Sequence, residues 1–218
     1  MLKLEHQTLN DRAYGALKQE LISGGFSPGQ TLVIRKLAET FGISTTPIRE
    51  ALQRLVAERL LEMQNNRSII VPLLSGPAFA ELTRIRIAVE GLAGEMAATR
   101  MSESALVDMQ VALAGMQRAI EAQDATTYLS LNEAFHFAIY EHAGAPILLN
   151  MIRDLWGRVG PYLKLLMRAD RYIPQSNDAH HRIVAALERR NGPAVRVSLE
   201  QDIAVAAAVL SENLRTTN

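Results

Sequence analysis

Residues 31–61 read TLVIRKLAETFGISTTPIREALQRLVAERLL, and this stretch contains two amphipathic helical patterns. The first pattern places apolar residues on one helical face, at Ile34, Leu37, Ala38 and Phe41. Gly42 then predicts a turn, because glycine adopts a positive φ without steric cost. Ser44 or Thr45 can cap a second helix, and Pro47 falls in its first turn. The apolar face of this second helix comprises Ile48, Ala51, Leu52, Leu55 and Val56.

The opposite face of the second predicted helix carries short or forked hydrogen-bonding side chains. They are Thr45, Thr46, Arg49 and Gln53. Two short helices joined by a tight turn, with such a face on the second, are typical of a helix-turn-helix that inserts its second helix into a DNA groove. On this stretch alone, an ordinary pair of packed helices with a solvated face is the alternative.

The residues that follow predict a β-hairpin. Two β-prone runs, Leu61–Gln64 and Ile69–Pro72, flank a turn rich in asparagine. A hairpin directly after a helix-turn-helix is a wing, with Arg67 at its tip, and it favours DNA binding over an ordinary helix pair. We expect the side chains that contact bases or phosphates to be Arg35, Ser44, Thr45, Thr46, Arg49, Gln53 and Arg67.

This region, from about Leu9 to Pro72, resembles the winged-helix domain of GntR-type bacterial transcription regulators. The motifs that carry the resemblance are Leu17, Leu21, Ile22, Gly25, Phe26, Pro28 and Gly29, then RKLA at 35–38, then GISTTPIREAL at 42–52. The resemblance implies a DNA-binding regulator. The family usually has arginine where Thr45 stands and glycine where Ser68 stands, so we expect a different DNA sequence preference rather than a loss of DNA binding.

The composition excludes several classes of protein. The 218 residues suggest one large or two small domains, and 48% hydrophobic residues suffice for a core. The absence of cysteine excludes disulfides and thiolate sites. No signal peptide and no long apolar run occur, which predicts a soluble cytoplasmic protein without a membrane partner. The formal charge of zero fits a local basic face, formed by Arg35, Arg49, Arg54 and Arg67, rather than a uniformly basic surface.

The pattern of elements predicts two domains and a mainly α fold. Residues 1–76 are predicted to form the winged helix-turn-helix domain, with a disordered lead at 1–7 and a first helix at 8–24. Residues 77–218 show no strand pattern and are predicted to form an all-helical antiparallel bundle. Its six helical segments are predicted at about 77–100, 102–122, 124–143, 146–170, 175–190 and 193–214, from the glycine, proline and polar breaks between them.

Four polar residues in the bundle form a candidate metal site. Asn132 and His136 are one helical turn apart and project from one face. His180 and Asp202 lie eleven residues on either side of Asn191, so in an antiparallel hairpin both are about 16 Å from the turn and can face each other. Two imidazoles, a carboxylate and an amide suit a divalent cation such as zinc, nickel or manganese. On spacing alone, ordinary core histidines are the simpler interpretation.

The same bundle, from about residue 77 to 210, resembles the FCD ligand-binding domain of one GntR subfamily. The motifs are N-x-x-F-H at 132–136 and H-x-x-I-x-x-A-L at 180–187. The resemblance implies an effector-binding domain, which in many members holds a metal through one aspartate and three histidines. Asn132 stands at the aspartate position and Asp202 at the final histidine position. We therefore expect a metal to bind with reduced affinity.

Arg86 and Glu90 are one turn apart in the first segment of the bundle. Their spacing alone predicts a surface ion pair. The resemblance implies a buried pair in which Arg86 binds the carboxylate of a small effector. The expected protein is thus a ligand-responsive regulator, a repressor, which senses a small organic acid and binds an inverted repeat of double-stranded operator DNA as a homodimer.

Two other functions are compatible with a metal in the bundle. A regulator could sense the metal ion itself, or a helical hydrolase could use the metal to activate water. The sequence offers no nucleophile–base pair, no G-x-S-x-G motif and no phosphate loop. No additional general base is identifiable either, so we expect a protein that is not an enzyme.

Overall fold

In a computed structural model of the chain, residues 8–65, 67–168 and 172–216 are described, and the predicted lead at 1–7 lies outside them. The helices and strands are, in chain order, α1 Leu9–Ile22, α2 Ile34–Phe41, α3 Thr45–Ala57, β1 Glu62–Gln64, β2 Ser68–Ile70, α4 Gly76–Ala97, α5 Glu103–Glu121, α6 Ala125–His142, α7 Pro146–Leu163, α8 Tyr172–Glu188 and α9 Gly192–Thr216. The mainly α fold, with a winged helix followed by a six-helix bundle, is confirmed.

The chain forms two compact units, and α7 contributes to both. The first unit comprises Met1–Leu73 and Trp156–Pro161, and the second comprises Leu74–Leu155 and Tyr162–Asn218. The participation of an α7 segment in the first unit was not part of the prediction, which divided the chain at a single point.

The first unit is the predicted winged helix-turn-helix. Gly42 ends α2 with a φ of 63°, which is the left-handed conformation that glycine adopts most readily. The wing is antiparallel, with Met63 opposite Ile69. Its core is formed by apolar residues of α1, α3 and the wing, among them Leu17, Leu21, Ile48, Leu52, Leu55 and Val71. Ala13, Leu17 and Leu21 of α1 are buried, whereas Leu9, at the first position of the helix, is 45% exposed.

Two glycines allow the α7 segment to pack closely within the first unit. A Cβ atom at Gly160 would overlap the carbonyl oxygens of Leu21 and Ile22, where α1 ends. A Cβ atom at Gly157 would lie 3.0 Å from the side chain of Leu60. Arg158, between the two glycines, donates a hydrogen bond to the carbonyl of Glu58 at 3.2 Å. Glycine is therefore required at 160 by the close approach of another backbone.

The second unit is a helical bundle in which α4 packs along α9. Gly94 of α4 lies beneath Leu199 and Val195, so the two helices approach closely. Two predicted boundaries need correction. The segment predicted as one helix at 146–170 changes to a 3₁₀ helix at Lys164–Arg168, and the helix predicted from 175 begins at Tyr172, because a proline in the first turn of a helix needs no N–H partner. None of the helices in the described ranges is long and apolar enough to cross a membrane.

Candidate DNA interface and metal centre

One cleft of the first unit gathers four of the predicted DNA-contacting residues. It has a volume of about 490 Å³ and lies between the start of α2, the start of α3 and the wing. The four residues that line it are Arg35, Thr45, Arg49 and Arg67. All three arginine side chains are exposed. Three cations around one concave surface can neutralise DNA phosphates, and the guanidinium groups can also donate to guanine.

The other three predicted contacts lie outside the lining of this cleft. Ser44 and Thr46 are exposed at the start of α3, and Gln53 is exposed two turns further along the same helix. Ser44 occupies the N-cap position, but its side chain makes no capping hydrogen bond. The hydroxyl group of Ser44 therefore does not cap α3 and is exposed at the start of the helix.

Arg54 does not belong with the basic face to which it was assigned. Its guanidinium stacks on the ring of Tyr14 at 3.7 Å, and it forms ion pairs with Asp11 at 3.6 Å and with Glu58 at 3.2 Å. Tyr14 in turn donates a hydrogen bond to Glu58 at 2.6 Å. Two carboxylates thus reduce the positive potential around Arg54, although Glu58 also pairs with Lys18 at 3.4 Å, and Arg54 ties α3 to α1.

The second unit contains a polar core built from four helices. Each helix contributes two buried polar side chains that are one turn apart, and the pairs are Arg86 and Glu90 on α4, Asn132 and His136 on α6, Ser176 and His180 on α8, and Ser198 and Asp202 on α9. Residues four apart share a helix face, so each helix directs its pair into the bundle. Burial of this many polar groups has a cost unless the groups find partners.

Three of the four predicted metal ligands converge in this core. Ligand atoms of His136, His180 and Asp202 all lie within 4.8 Å of one another, and all three residues are buried. The Nε2 atom of His136 is 3.3 Å from Asp202 Oδ2, and the Nε2 atom of His180 is 3.9 Å from Asp202 Oδ1. The fourth predicted ligand, Asn132, is 8% exposed and lies one turn from His136 on the buried face of α6.

His180 has unsatisfied ring nitrogens that a cation would explain. It is fully buried, and neither Nδ1 nor Nε2 has a hydrogen-bond partner among the described side chains. Burial lowers the pKa of His180 to about 4, so the ring is neutral at pH 7 and can offer a lone pair. Burial works against ionisation of Asp202, but His180 and His136 hold the pKa of that carboxyl below its usual range. Two imidazoles and a carboxylate, all buried, are a donor set that fits a divalent cation.

A chain of buried hydrogen bonds connects the metal-ligand cluster to α4. Arg86 donates to Glu90 from Nε at 2.6 Å and from a terminal nitrogen at 3.3 Å, as the resemblance to the FCD domain implied. The hydroxyl of Tyr140 donates to Glu90 at 2.5 Å and lies 3.1 Å from His136 Nδ1. Sequence reasoning missed Tyr140, although its position one turn after His136 was a usable signal.

Comparison with known proteins agrees with both halves of this architecture. The model of bacterial regulatory proteins of the gntR family matches residues 9–71, and the FCD domain model matches residues 81–205. The HTH-type transcriptional regulator McbR of Escherichia coli K12 is 32% identical over 209 residues, which cover 93% of this chain and 95% of McbR. The HTH-type transcriptional repressor GlaR of the same organism is 27% identical over 187 residues, covering 82% and 84% of the two chains.

A solved structure extends this similarity to three dimensions. The structure of E. coli McbR/YncC matches with a TM-score of 0.88 at 31% identity, over 94% of this chain and 98% of that one. The family models together span most of the chain, and McbR exceeds 30% identity over nearly its whole length. The chain therefore belongs to the GntR family of bacterial transcription regulators and carries an FCD domain after its winged helix-turn-helix.

Proposed function

We propose that this protein is a cytoplasmic, ligand-responsive repressor that senses a small organic acid through a divalent cation bound by His136, His180 and Asp202. The observation that carries the sensing part is the buried cluster itself, with its ligand atoms within 4.8 Å of one another. The unsatisfied nitrogens of His180 support the same assignment. Asn132, one turn from His136, offers an amide oxygen as a fourth ligand.

The charges of the polar core support an anionic effector once a cation is present. Arg86 and Glu90 neutralise each other, which leaves Asp202 as an excess buried negative charge. Without a cation, the buried carboxylate of Asp202 would repel an organic acid. With a divalent cation bound, the net charge of the polar core would be positive. The cation supplies open coordination positions that accept carboxylate oxygens. Arg86, whose charge Glu90 balances, orients the bound acid by donating a hydrogen bond from the α4 side.

The first unit supplies DNA binding in this proposal. Arg35, Arg49 and Arg67 neutralise phosphates or donate to base edges from the cleft they line, and Thr45 is the weaker base contact at its rim. Ser44, Thr46 and Gln53 supply further hydrogen bonds along α3. A homodimer through the helical units would present two winged helices to an inverted repeat. The effector changes DNA affinity only if it binds one dimer geometry better than another.

The test begins with the metal content of the untagged protein, measured by plasma mass spectrometry before and after dialysis against a chelator. We expect a divalent ion in the wild-type protein and none in the His136→Ala/His180→Ala variant. His181→Ala is the matched control, because His181 is the exposed neighbour of His180 on α8 and should leave the ion in place. A wild-type protein that takes up no zinc, nickel or manganese would contradict the metal assignment.

The second step of the test distinguishes a regulator that senses an organic acid from a regulator that senses the metal ion itself. Operator DNA selected from a random pool is titrated with metal-free protein, metal-loaded protein, and metal-loaded protein with organic acids. The proposal expects DNA affinity to change when an acid is added to the loaded protein. A change that follows the metal alone would identify a metal sensor instead.

A further inference from the structure

A ridge of polar side chains on α6 extends beyond the metal-ligand cluster. Tyr128, Asn132, His136 and Tyr140 are spaced four residues apart and are all buried. From His136 back to Tyr128 the ridge covers about 12 Å of helix. His136 and Tyr140 interact with each other. Tyr128 differs, because its hydroxyl is fully buried and has no hydrogen-bond partner among the side chains that the structure describes.

The hydroxyl of Tyr128 lies close to the cluster. Its polar neighbours are the carboxylate of Asp202 and the hydroxyl of Ser176. Ser176 donates its proton to Asp202 Oδ1 at 3.3 Å, and the neighbouring Tyr128 hydroxyl has no hydrogen-bond partner among the described side chains.

The Tyr128 hydroxyl is a hydrogen-bond donor that has no acceptor in the described part of the chain. A tyrosine hydroxyl is protonated at neutral pH, so it can donate a hydrogen bond. A buried hydroxyl without a partner destabilises the folded state, and native proteins retain few of them. A destabilising hydroxyl beside Asp202, in the same polar core as the two unsatisfied ring nitrogens of His180, indicates that a ligand supplies the missing partner.

We infer that the Tyr128 hydroxyl binds the effector, by donating a hydrogen bond to an oxygen on the part of the acid that extends beyond the cation. This inference rests on the proposed function and narrows the effector class. The acid must carry a second oxygen acceptor, such as a distal carboxylate, in addition to the group held at His136, His180 and Asp202. An acid limited to one chelating group commits its oxygens to the cation and offers no second acceptor to Tyr128.

The test uses two acids that share a chelating group and differ in length. Glycolate and malate both present a 2-hydroxycarboxylate, and malate adds a distal carboxylate. Isothermal titration of the zinc-loaded protein should show that Tyr128→Phe weakens malate binding by about ten- to a hundred-fold and leaves glycolate binding unchanged. Tyr162→Phe is the matched control, since the Tyr162 hydroxyl accepts the Leu74 N–H at 2.7 Å within the same unit. It should change neither affinity.

A second readout needs no ligand. In the metal-free protein, Tyr128→Phe should leave the Tm unchanged or raise it, because it removes an unsatisfied hydroxyl, whereas Tyr162→Phe should lower it. A lower Tm for Tyr128→Phe would show that the hydroxyl has a partner within the protein, and would overturn the inference.

The affinities distinguish failure of this inference from failure of the proposed function. Malate that binds wild type and Tyr128→Phe equally, or that binds wild type no better than glycolate, overturns the role of Tyr128 and leaves the acid sensor intact. Zinc-loaded wild-type protein that binds neither acid overturns both.

Discussion

Replacement of Glu90 by glutamine should destabilise the bundle strongly. Glu90 is 0% exposed and Arg86 is 8% exposed, and their two hydrogen bonds of 2.6 and 3.3 Å are made inside the polar core. Glutamine keeps the shape of the side chain but removes the hydrogen-bonded carboxylate that balances the guanidinium charge. Removal of one partner of a buried ion pair costs about 3–5 kcal/mol. For a chain of this length, the Tm should fall by roughly 6–20 °C.

The same helix provides a control for this variant. Glu95 also pairs with an arginine, Arg196, at 3.2 Å, but the two side chains are 39% and 41% exposed. Glu95→Gln should therefore cost about 0–1 kcal/mol, because water screens the exposed pair. Urea unfolding of the metal-free proteins at pH 7, followed by far-ultraviolet circular dichroism, measures both changes in the free energy of unfolding.

Comparison of the unfolding free energies of the two variants tests whether water is excluded from the polar core. If Glu90→Gln costs no more than Glu95→Gln, water must reach the Arg86 guanidinium. The burial of the network from Arg86 through Tyr140 to His136 would then be wrong. The charge argument for an anionic effector would fail with it.

Three further predictions test other parts of the molecule. Arg49→Ala should abolish specific operator binding in fluorescence anisotropy, because Arg49 lines the cleft, whereas Arg54→Ala should mainly reduce stability. Gly160→Ala should lower the free energy of unfolding by roughly 1–3 kcal/mol, because its Cβ would overlap backbone oxygens of α1. The metal-free protein should lose stability as the pH falls from 6.5 towards 4, since unfolded His180 binds a proton in this range and buried His180, with a pKa of about 4, does not. Urea unfolding at several pH values should show a weaker slope for His180→Leu.

Each of these predictions has a result that contradicts it. Operator affinity that survives Arg49→Ala would remove α3 from the DNA interface. Gly15→Ala controls for the effect of a methyl group on a helix, since nothing lies within 4 Å of the added Cβ, and a similar result at Gly160 would argue against the close approach to α1. An unchanged pH dependence in His180→Leu would mean that other groups cause the loss of stability in acid.

The elements that the sequence predicted correctly are those whose conformation is determined by residues close to them in the chain. Gly42 and the apolar spacing on either side of it specified the helix-turn-helix, because a positive φ and a buried helical face leave few alternatives. The approach of His180 and Asp202 followed from counting residues on each side of a short hairpin turn, since the rise per residue in a helix is fixed. Arg86 and Glu90 were paired correctly by spacing, but their burial depended on family resemblance.

The features that sequence did not predict depend on partners distant in the chain. Periodicity shows that one face of α7 is buried but not that Gly160 packs against the end of α1. Likewise, Arg54 looked like a DNA-binding cation until the structure placed Tyr14 and two carboxylates around it. Tyr128 and Tyr140 were not singled out, because a hydroxyl group in a sequence carries no information about its acceptor.

The segment of α7 that joins the first unit also carries the only tryptophan of the chain, Trp156, which is 2% exposed. Tryptophan fluorescence, excited at a wavelength where tyrosine does not absorb, therefore reports on the winged-helix unit, while far-ultraviolet ellipticity is dominated by the long helices of the other. Unfolding curves recorded with both signals therefore report on the two units individually, without any added label. Coincident curves would show that they unfold as one cooperative system, and displaced curves would give each unit its own free energy of unfolding.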